Sequence, residues 1–139
     1  MIRLIATDID GTLLSSTQRV STRNLAALTA ARDAGVHVVP TSGRQPFSIV
    51  DVLGDTWLTD GIVIGANGGV GFDFAADEVL FERVISVEAQ TALFEALRER
   101  YPSIVCVSVR DAGATFWPEA GYVGMVDPGD HGRGEALPH

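Results

Sequence analysis

The sequence contains no lysine. All ten of its basic residues are arginine, set against eighteen Asp and Glu, for a formal net charge of −8 over 139 residues. A chain this acidic repels polyanions, so nucleic acid and anionic membrane surfaces are excluded as expected partners. It has one cysteine, Cys106, which permits neither an internal disulfide nor a cysteine cage for a metal. No apolar run approaches the roughly 20 residues that cross a bilayer. The opening run MIRLIATDID carries one basic residue and meets acid at Asp8, which is unlike a secretory leader. What is present is a folded-domain composition: 46% hydrophobic and 20% charged residues, at the length of one ordinary domain. The expectation is a soluble, acidic, cytoplasmic protein.

The elements alternate through the first half. Arg3 to Thr7 is a short apolar run that stops at Asp8, the pattern of a buried strand entering a loop. Ser21 is a good N-cap for a helix through Ala34, with Leu25, Leu28 and Arg32 on one face and Gly35 at its end. Val36–Val39 reads as a second strand closed by Pro40-Thr41-Ser42-Gly43, and a short helix is predicted after Pro46. Gly61–Ile64 is a third strand, running into Asn67-Gly68-Gly69. Strand, helix, strand, helix, strand predicts an α/β fold with a parallel sheet.

The pattern then changes. Val70–Phe74 and Val79–Val84 flank Ala75-Ala76-Asp77 as a hairpin, and Val87–Tyr101 has helical spacing. Ile104–Val109 and Thr115–Trp117 are expected to be two strands joined at Asp111-Ala112-Gly113. The predicted division is residues 1–83 as core with hairpin, 84–126 as part of an α+β unit, and 127–139 as a disordered Gly/Pro-rich tail. Trp57, Phe72, Phe74, Phe94, Phe116 and Trp117 are expected in the core or at domain contacts, and Cys106 as a small buried hydrophobe. His37 reads as a packed or edge histidine, and His131 and His139 as solvated.

The chemistry concentrates in Thr7-Asp8-Ile9-Asp10-Gly11-Thr12-Leu13-Leu14. Two carboxylates two positions apart at a strand end can enter one crevice while Gly11 turns the chain away. In open α/β sheets ligands bind at that end. Asp8 and Asp10 repel each other unless a cation lies between them, and a hard dication such as Mg2+ suits oxygen ligands. An isolated Asp-x-Asp is more often a turn. Here Ser42-Gly43 stands at the matching end of the second strand, where short Gly-containing loops cradle phosphate.

Together these residues resemble the haloacid dehalogenase-like superfamily of phosphotransferases. Arg3–Leu14 is similar to its first motif, and Val38-Val39-Pro40-Thr41-Ser42-Gly43-Arg44 to its second. Ile64-Gly65-Ala66-Asn67-Gly68-Gly69 resembles the Asn-Gly stretch of the Cof-type branch, whose large cap follows the third strand. The resemblance covers about residues 2–118. It implies a Rossmann-like core, partial cap and Mg2+-dependent hydrolysis of a small phosphorylated metabolite, a sugar phosphate among the candidates. Asp8 is then the nucleophile that forms an aspartyl-phosphate and Asp10 the general acid and base. Mg2+ is held by the Asp8 carboxylate and the Asp10 main-chain carbonyl, and Ser42 and Gly43 receive the phosphoryl group. Thr12 and Leu13 help set the turn. Arg44 and Asn67 are open between substrate contact and a purely structural salt bridge or turn.

The sequence also departs from that family. Its third-motif Lys has no counterpart in a chain without lysine, and Asp127 and Asp130 sit in the Gly/Pro-rich tail rather than after an apolar strand. The chain is therefore expected to stop within its cap, as a truncated or frame-altered member. The alternative function is a catalytically impaired fragment that binds metal and phosphate weakly. An incomplete core is expected to give a marginally stable monomer, or a homo-oligomer that covers the open apolar faces. A receiver-type signalling domain is disfavoured, because its phosphoacceptor position after the third strand reads Gly65-Ala66-Asn67.

Overall fold

The computed structural model describes residues 1–125; the tail, with Asp127, Asp130, His131 and His139, lies outside the described residues. The chain divides into two compact units, Met1–Arg83 and a second beginning at Val84. The first unit holds a five-stranded sheet in the order β1-β2-β3-β4-β5. Its strands are β1 (Leu4–Asp8), β2 (His37–Thr41), β3 (Ile62–Gly65), β4 (Val70–Asp73) and β5 (Glu78–Glu82). The first three run parallel, and β4 and β5 add antiparallel.

Two helices connect the parallel strands. α1 spans Thr22–Asp33, and Ser21 Oγ accepts from the Asn24 backbone N–H at its start. At its end Gly35 takes φ +81°, and the Gly35 and Val36 amides return to the carbonyls of Arg32 and Ala31. That left-handed closure requires the missing side chain. α2 spans Pro46–Leu53 with Pro46 in its first turn, where the absent N–H costs nothing.

The core lies on one side of the sheet. Ile49 and Leu53 of α2 pack there with Val63, Phe72, Ile9, Leu13 and Leu58, all buried. α1 contributes the half-buried Leu25 and Leu28. The Trp57 indole donates to Thr29 Oγ1 at 2.9 Å and lies 4.2 Å beneath the Arg32 guanidinium. The cross-strand register puts Leu4, Ile62 and Phe81 on the opposite side, where they are 56%, 39% and 39% exposed.

The strand boundaries shift from the periodicity by one to three residues, and two of the shifts have a visible cause. β2 continues through Pro40 and Thr41 rather than closing at Val39. Its pairing with β1 carries on to Asp8↔Thr41, while it meets β3 only at Thr41↔Ile64, so the ladder around Pro40 is thin enough to tolerate a missing donor.

In the second unit α3 spans Val87–Arg100 with Ser86 as its cap, and β6 (Val107–Arg110) pairs antiparallel with β7 (Thr115–Pro118). β6 begins three residues later than predicted because Cys106 turns its N–H to Glu119 Oε2 at 3.0 Å instead of to a ladder. Glu119 also pairs with Arg98, and together the Cys106 N–H and the Arg98 guanidinium hold its carboxyl below the usual carboxylate range. Cys106 is buried. Of the two places expected for Trp117, core or domain contact, the core is not where it lies: it is 40% exposed, with the Arg110 guanidinium 4.7 Å from its centre.

The β3–β4 and β6–β7 hairpin turns share an unusual backbone. Ala66, Asn67 and Gly68 after β3 have φ of 52°, 53° and 90°, and Asp111, Ala112 and Gly113 after β6 have 53°, 53° and 95°. In each, the residue after the third donates to the carbonyl of the first, at 3.0 Å.

Candidate active site

The parallel register brings three strand ends level. Asp8 stands opposite Thr41, and Thr41 opposite Ile64, so whatever follows each strand shares one rim. After β1 the chain makes a wide five-residue turn, Ile9–Leu13, closed by the Leu14 amide on the Ile9 carbonyl at 3.0 Å. Gly11 takes φ +74° within it, a conformation that L side chains rarely adopt. Ile9 and Leu13 anchor the turn in the core, leaving Asp10 and Thr12 exposed between them and Asp8 exposed just before.

An open crevice of about 370 Å3 occupies this rim, lined by Asp8, Thr41, Ser42, Gly43, Ile64, Asn67 and Gly68. That volume suits a small molecule. Thr12 Oγ1 donates to Asp8 Oδ2 at 3.0 Å, which fixes one carboxylate oxygen and orients the other. Ser42 is buried, and its amide donates to the Ile64 carbonyl at 2.9 Å, as the Asn67 amide does to the Ser42 carbonyl at 3.0 Å. The second and third loops are thus stitched together by backbone. The Asn67 side chain lies across Gly43: a Cβ at Gly43 would come within 3.0 Å of its Oδ1. The close approach explains the glycine.

Asp10 and Arg44 stand beside this crevice and are not part of its lining. Arg44 grips Asp10 with both arms of the guanidinium, Nε to Oδ2 and Nη2 to Oδ1, each at 2.8 Å. Ser42 Oγ donates to Asp10 Oδ2 at 3.4 Å and accepts from the Arg44 amide at 3.1 Å. The Arg44 guanidinium therefore holds the Asp10 carboxyl below the usual carboxylate range, and Asp10 raises Arg44 in turn. Both side chains remain more than a third exposed, so the pair adds little to stability.

Of the residues singled out from the sequence, Asp8, Ser42, Gly43 and Asn67 come together around one crevice, while Asp10 and Arg44 form a pair at its edge. Of the two readings left open for Arg44, the salt bridge is present in the structure. The Thr12 contact to Asp8, and the part played by Thr41, Ile64 and Gly68 in the lining, were not foreseen. Thr41 had a signal, since it directly precedes Ser42. Among the described residues no group of three or more His, Cys, Asp or Glu side chains is placed to hold a metal ion, and no helix is long and apolar enough to cross a membrane.

Comparison with known proteins adds a family. The haloacid dehalogenase-like hydrolase model matches residues 5–120. Phosphatase YwpJ of Bacillus subtilis is 43% identical over 76 residues, covering 52% of this chain and 25% of that protein. The phosphoglycolate phosphatase of Thermoplasma acidophilum is 30% identical over 130 residues, covering 94% of this chain and 54% of that protein. A solved sugar phosphatase of HAD subclass IIB superposes with a TM-score of 0.66 at 28% identity, over 82% of this chain and 42% of that one. The chain spans between about a quarter and about a half of these relatives' lengths.

Proposed function

The chain belongs to the haloacid dehalogenase-like hydrolases, and from that premise we propose that it serves hydrolysis of small phosphate monoesters, sugar phosphates among them. One observation carries this reading: an acidic nucleophile candidate, Asp8, faces the Ser42-Gly43-Asn67 cradle across a single crevice at the carboxyl ends of three strands. A related phosphatase with a name for its substrate acts on phosphoglycolate, and a structural neighbour is a sugar phosphatase, both consistent with a small substrate.

The residues divide the chemistry as follows. With Oδ2 held by Thr12, Asp8 attacks phosphorus through Oδ1. The bond from phosphorus to the ester oxygen breaks, and the phosphoryl group passes to the carboxylate as an aspartyl-phosphate. Asp10, held as a carboxylate by Arg44 in the structure, must take up a proton before it passes one to the departing alkoxide; it then takes one from the water that cleaves the acyl phosphate, returning phosphate and free Asp8. The Ser42 hydroxyl and the Asn67 amide offer hydrogen bonds to the non-bridging oxygens, whose spread charge is what phosphoryl transfer must neutralise.

The donor set fits Mg2+, which takes one or two carboxylates and completes its shell with water and substrate phosphate. Asp8 offers a carboxylate on the crevice wall, and the family resemblance implies the Asp10 main-chain carbonyl as the second protein ligand. When bound, the ion supplies positive charge opposite the transferring oxygens.

The test is release of phosphate from 4-nitrophenyl phosphate. The expected result is slow, Mg2+-dependent release that Asp8→Asn abolishes, because an amide is no nucleophile. Release that survives Asp8→Asn would refute the assignment. A second reading, binding of phosphate without turnover, is favoured by the complete absence of lysine. A wild type that binds inorganic phosphate yet releases none from the ester would select it.

A further inference from the structure

A phosphate dianion entering this crevice meets a carboxylate, Asp8, and needs a cation nearby. The chain has no lysine to supply one, and the crevice lining itself carries no basic side chain. Arg44 is built into the cradle all the same. Its amide donates to Ser42 Oγ at 3.1 Å, and its carbonyl accepts from the Ala66 amide at 2.7 Å. Both loops that form the cradle therefore hold the backbone of this residue, while its side chain is 35% exposed. The head occupies itself with Asp10 in a bidentate fork. That fork is the geometry with which a guanidinium recognises a planar carboxylate or two oxygens of a phosphate.

We propose that Arg44 is an anion-binding cation of this site and that it is handed from one acceptor to another. In the structure the guanidinium grips Asp10. An arriving phosphate monoester takes over the fork, and the exchange frees Asp10, which, without the guanidinium that favours its charged form, takes up a proton from solvent and turns from the edge of the crevice toward the leaving oxygen. Two features favour the transfer. The Asp10 fork is partly exposed, and such pairs are weakly held. A phosphate close to doubly ionised presents more charge and three acceptor oxygens. Ser42 Oγ stands beside both residues, accepting from the Arg44 amide and donating to the Asp10 carboxylate. Arg44 is thereby a ligand for the substrate phosphate and, through its release of Asp10, a positioning residue for the acid. The inference rests on the reading of the crevice as a phosphate site.

Binding of inorganic phosphate to the 139-residue chain tests it, at fixed Mg2+, by calorimetry on a double-mutant cycle and by NMR of the arginine side chains. In the wild type the Arg44 Nε–Hε resonance is expected to shift as phosphate saturates. Arg44→Gln should weaken binding by about tenfold or more, the scale of a lost charge-assisted contact. Asp10→Asn should tighten it, by a factor at least about fivefold larger in the presence of Arg44 than in the Arg44→Gln background, a coupling that a cycle isolates. Equal tightening in both backgrounds would show simple charge repulsion and overturn the exchange. So would an Arg44 resonance that stays still while phosphate binds, a readout that depends on no variant folding. A wild type that binds no phosphate at all would remove the phosphatase reading along with this one.

Discussion

Adding one methyl group at Gly65 tests how tightly the two cradle loops are joined. Gly65 ends β3, and its φ of −109° is open to any residue, so the effect of alanine is purely one of space. A Cβ there would lie 2.7 Å from Pro46 Cδ, 2.8 Å from the Arg44 carbonyl oxygen and 2.9 Å from Pro46 N. All three are backbone or ring atoms and cannot swing aside. The Arg44–Pro46 segment must move by several tenths of an ångström, which also stretches the 2.7 Å bond from the Ala66 amide to the Arg44 carbonyl. Overpacking of this kind costs about 1–3 kcal/mol, and a weakened backbone bond adds about 1 kcal/mol. Against this, alanine restricts the unfolded chain and returns about 0.4–1 kcal/mol. The net is a loss of about 2 kcal/mol, or roughly 8–16 °C in Tm for a unit of this size. Gly61→Ala is the matched control, because a Cβ there meets nothing within 4 Å. It should be neutral or slightly stabilising. Thermal melts of the two variants decide the matter: equal Tm values would show that the loop contacts are not as rigid as their distances imply.

Three further outcomes follow from contacts described above. Ser21→Ala removes the oxygen that accepts the Asn24 amide and should lower stability by about 1 kcal/mol, read from the urea midpoint at unchanged slope. The Glu119 carboxyl is depressed by the Cys106 N–H and by Arg98, so its contribution is present above the unfolded carboxyl pKa of about 4.3 and is lost as pH falls through the lower folded value. The stability difference between wild type and Glu119→Gln should therefore be full at pH 6 and shrink toward pH 3 in urea melts, and a constant difference would contradict it. Asp10→Asn should slow any Mg2+-dependent ester hydrolysis by about 10²–10⁴-fold, measured as kcat, and an unchanged kcat would remove Asp10 from the acid role.

Local chemistry was readable before the fold was. Ser21, Gly35 and Pro46 announced the ends of α1 and the start of α2, because caps act through the residues beside them. Asp8, Ser42 and Asn67 could be placed at strand ends because apolar runs stop there, and the parallel order then brought those ends level. The second level of organisation was not readable. That Arg44 closes on Asp10 depends on a contact across 34 positions in sequence, and nothing near either residue distinguishes a partner in the chain from one in the substrate. The late start of β6 has the same origin, since the Cys106 amide goes to a carboxylate thirteen positions away. Trp117 read as core or domain contact, and that Arg110 stands over its face was not visible in the spacing.

The turn at Ala66-Asn67-Gly68 ties the shape of the cradle to the sheet beneath it. Ala66 and Asn67 both sit in left-handed backbone, which Asn tolerates and which costs alanine about 1–2 kcal/mol. The pairing of β3 with β4 through Ile62↔Asp73 and Val63↔Phe72 offsets that cost. Asn67 reaches Gly43, and its amide the Ser42 carbonyl, from a turn whose two ends are fixed by paired strands. A substitution that loosens the β3–β4 ladder therefore loosens the crevice wall as well.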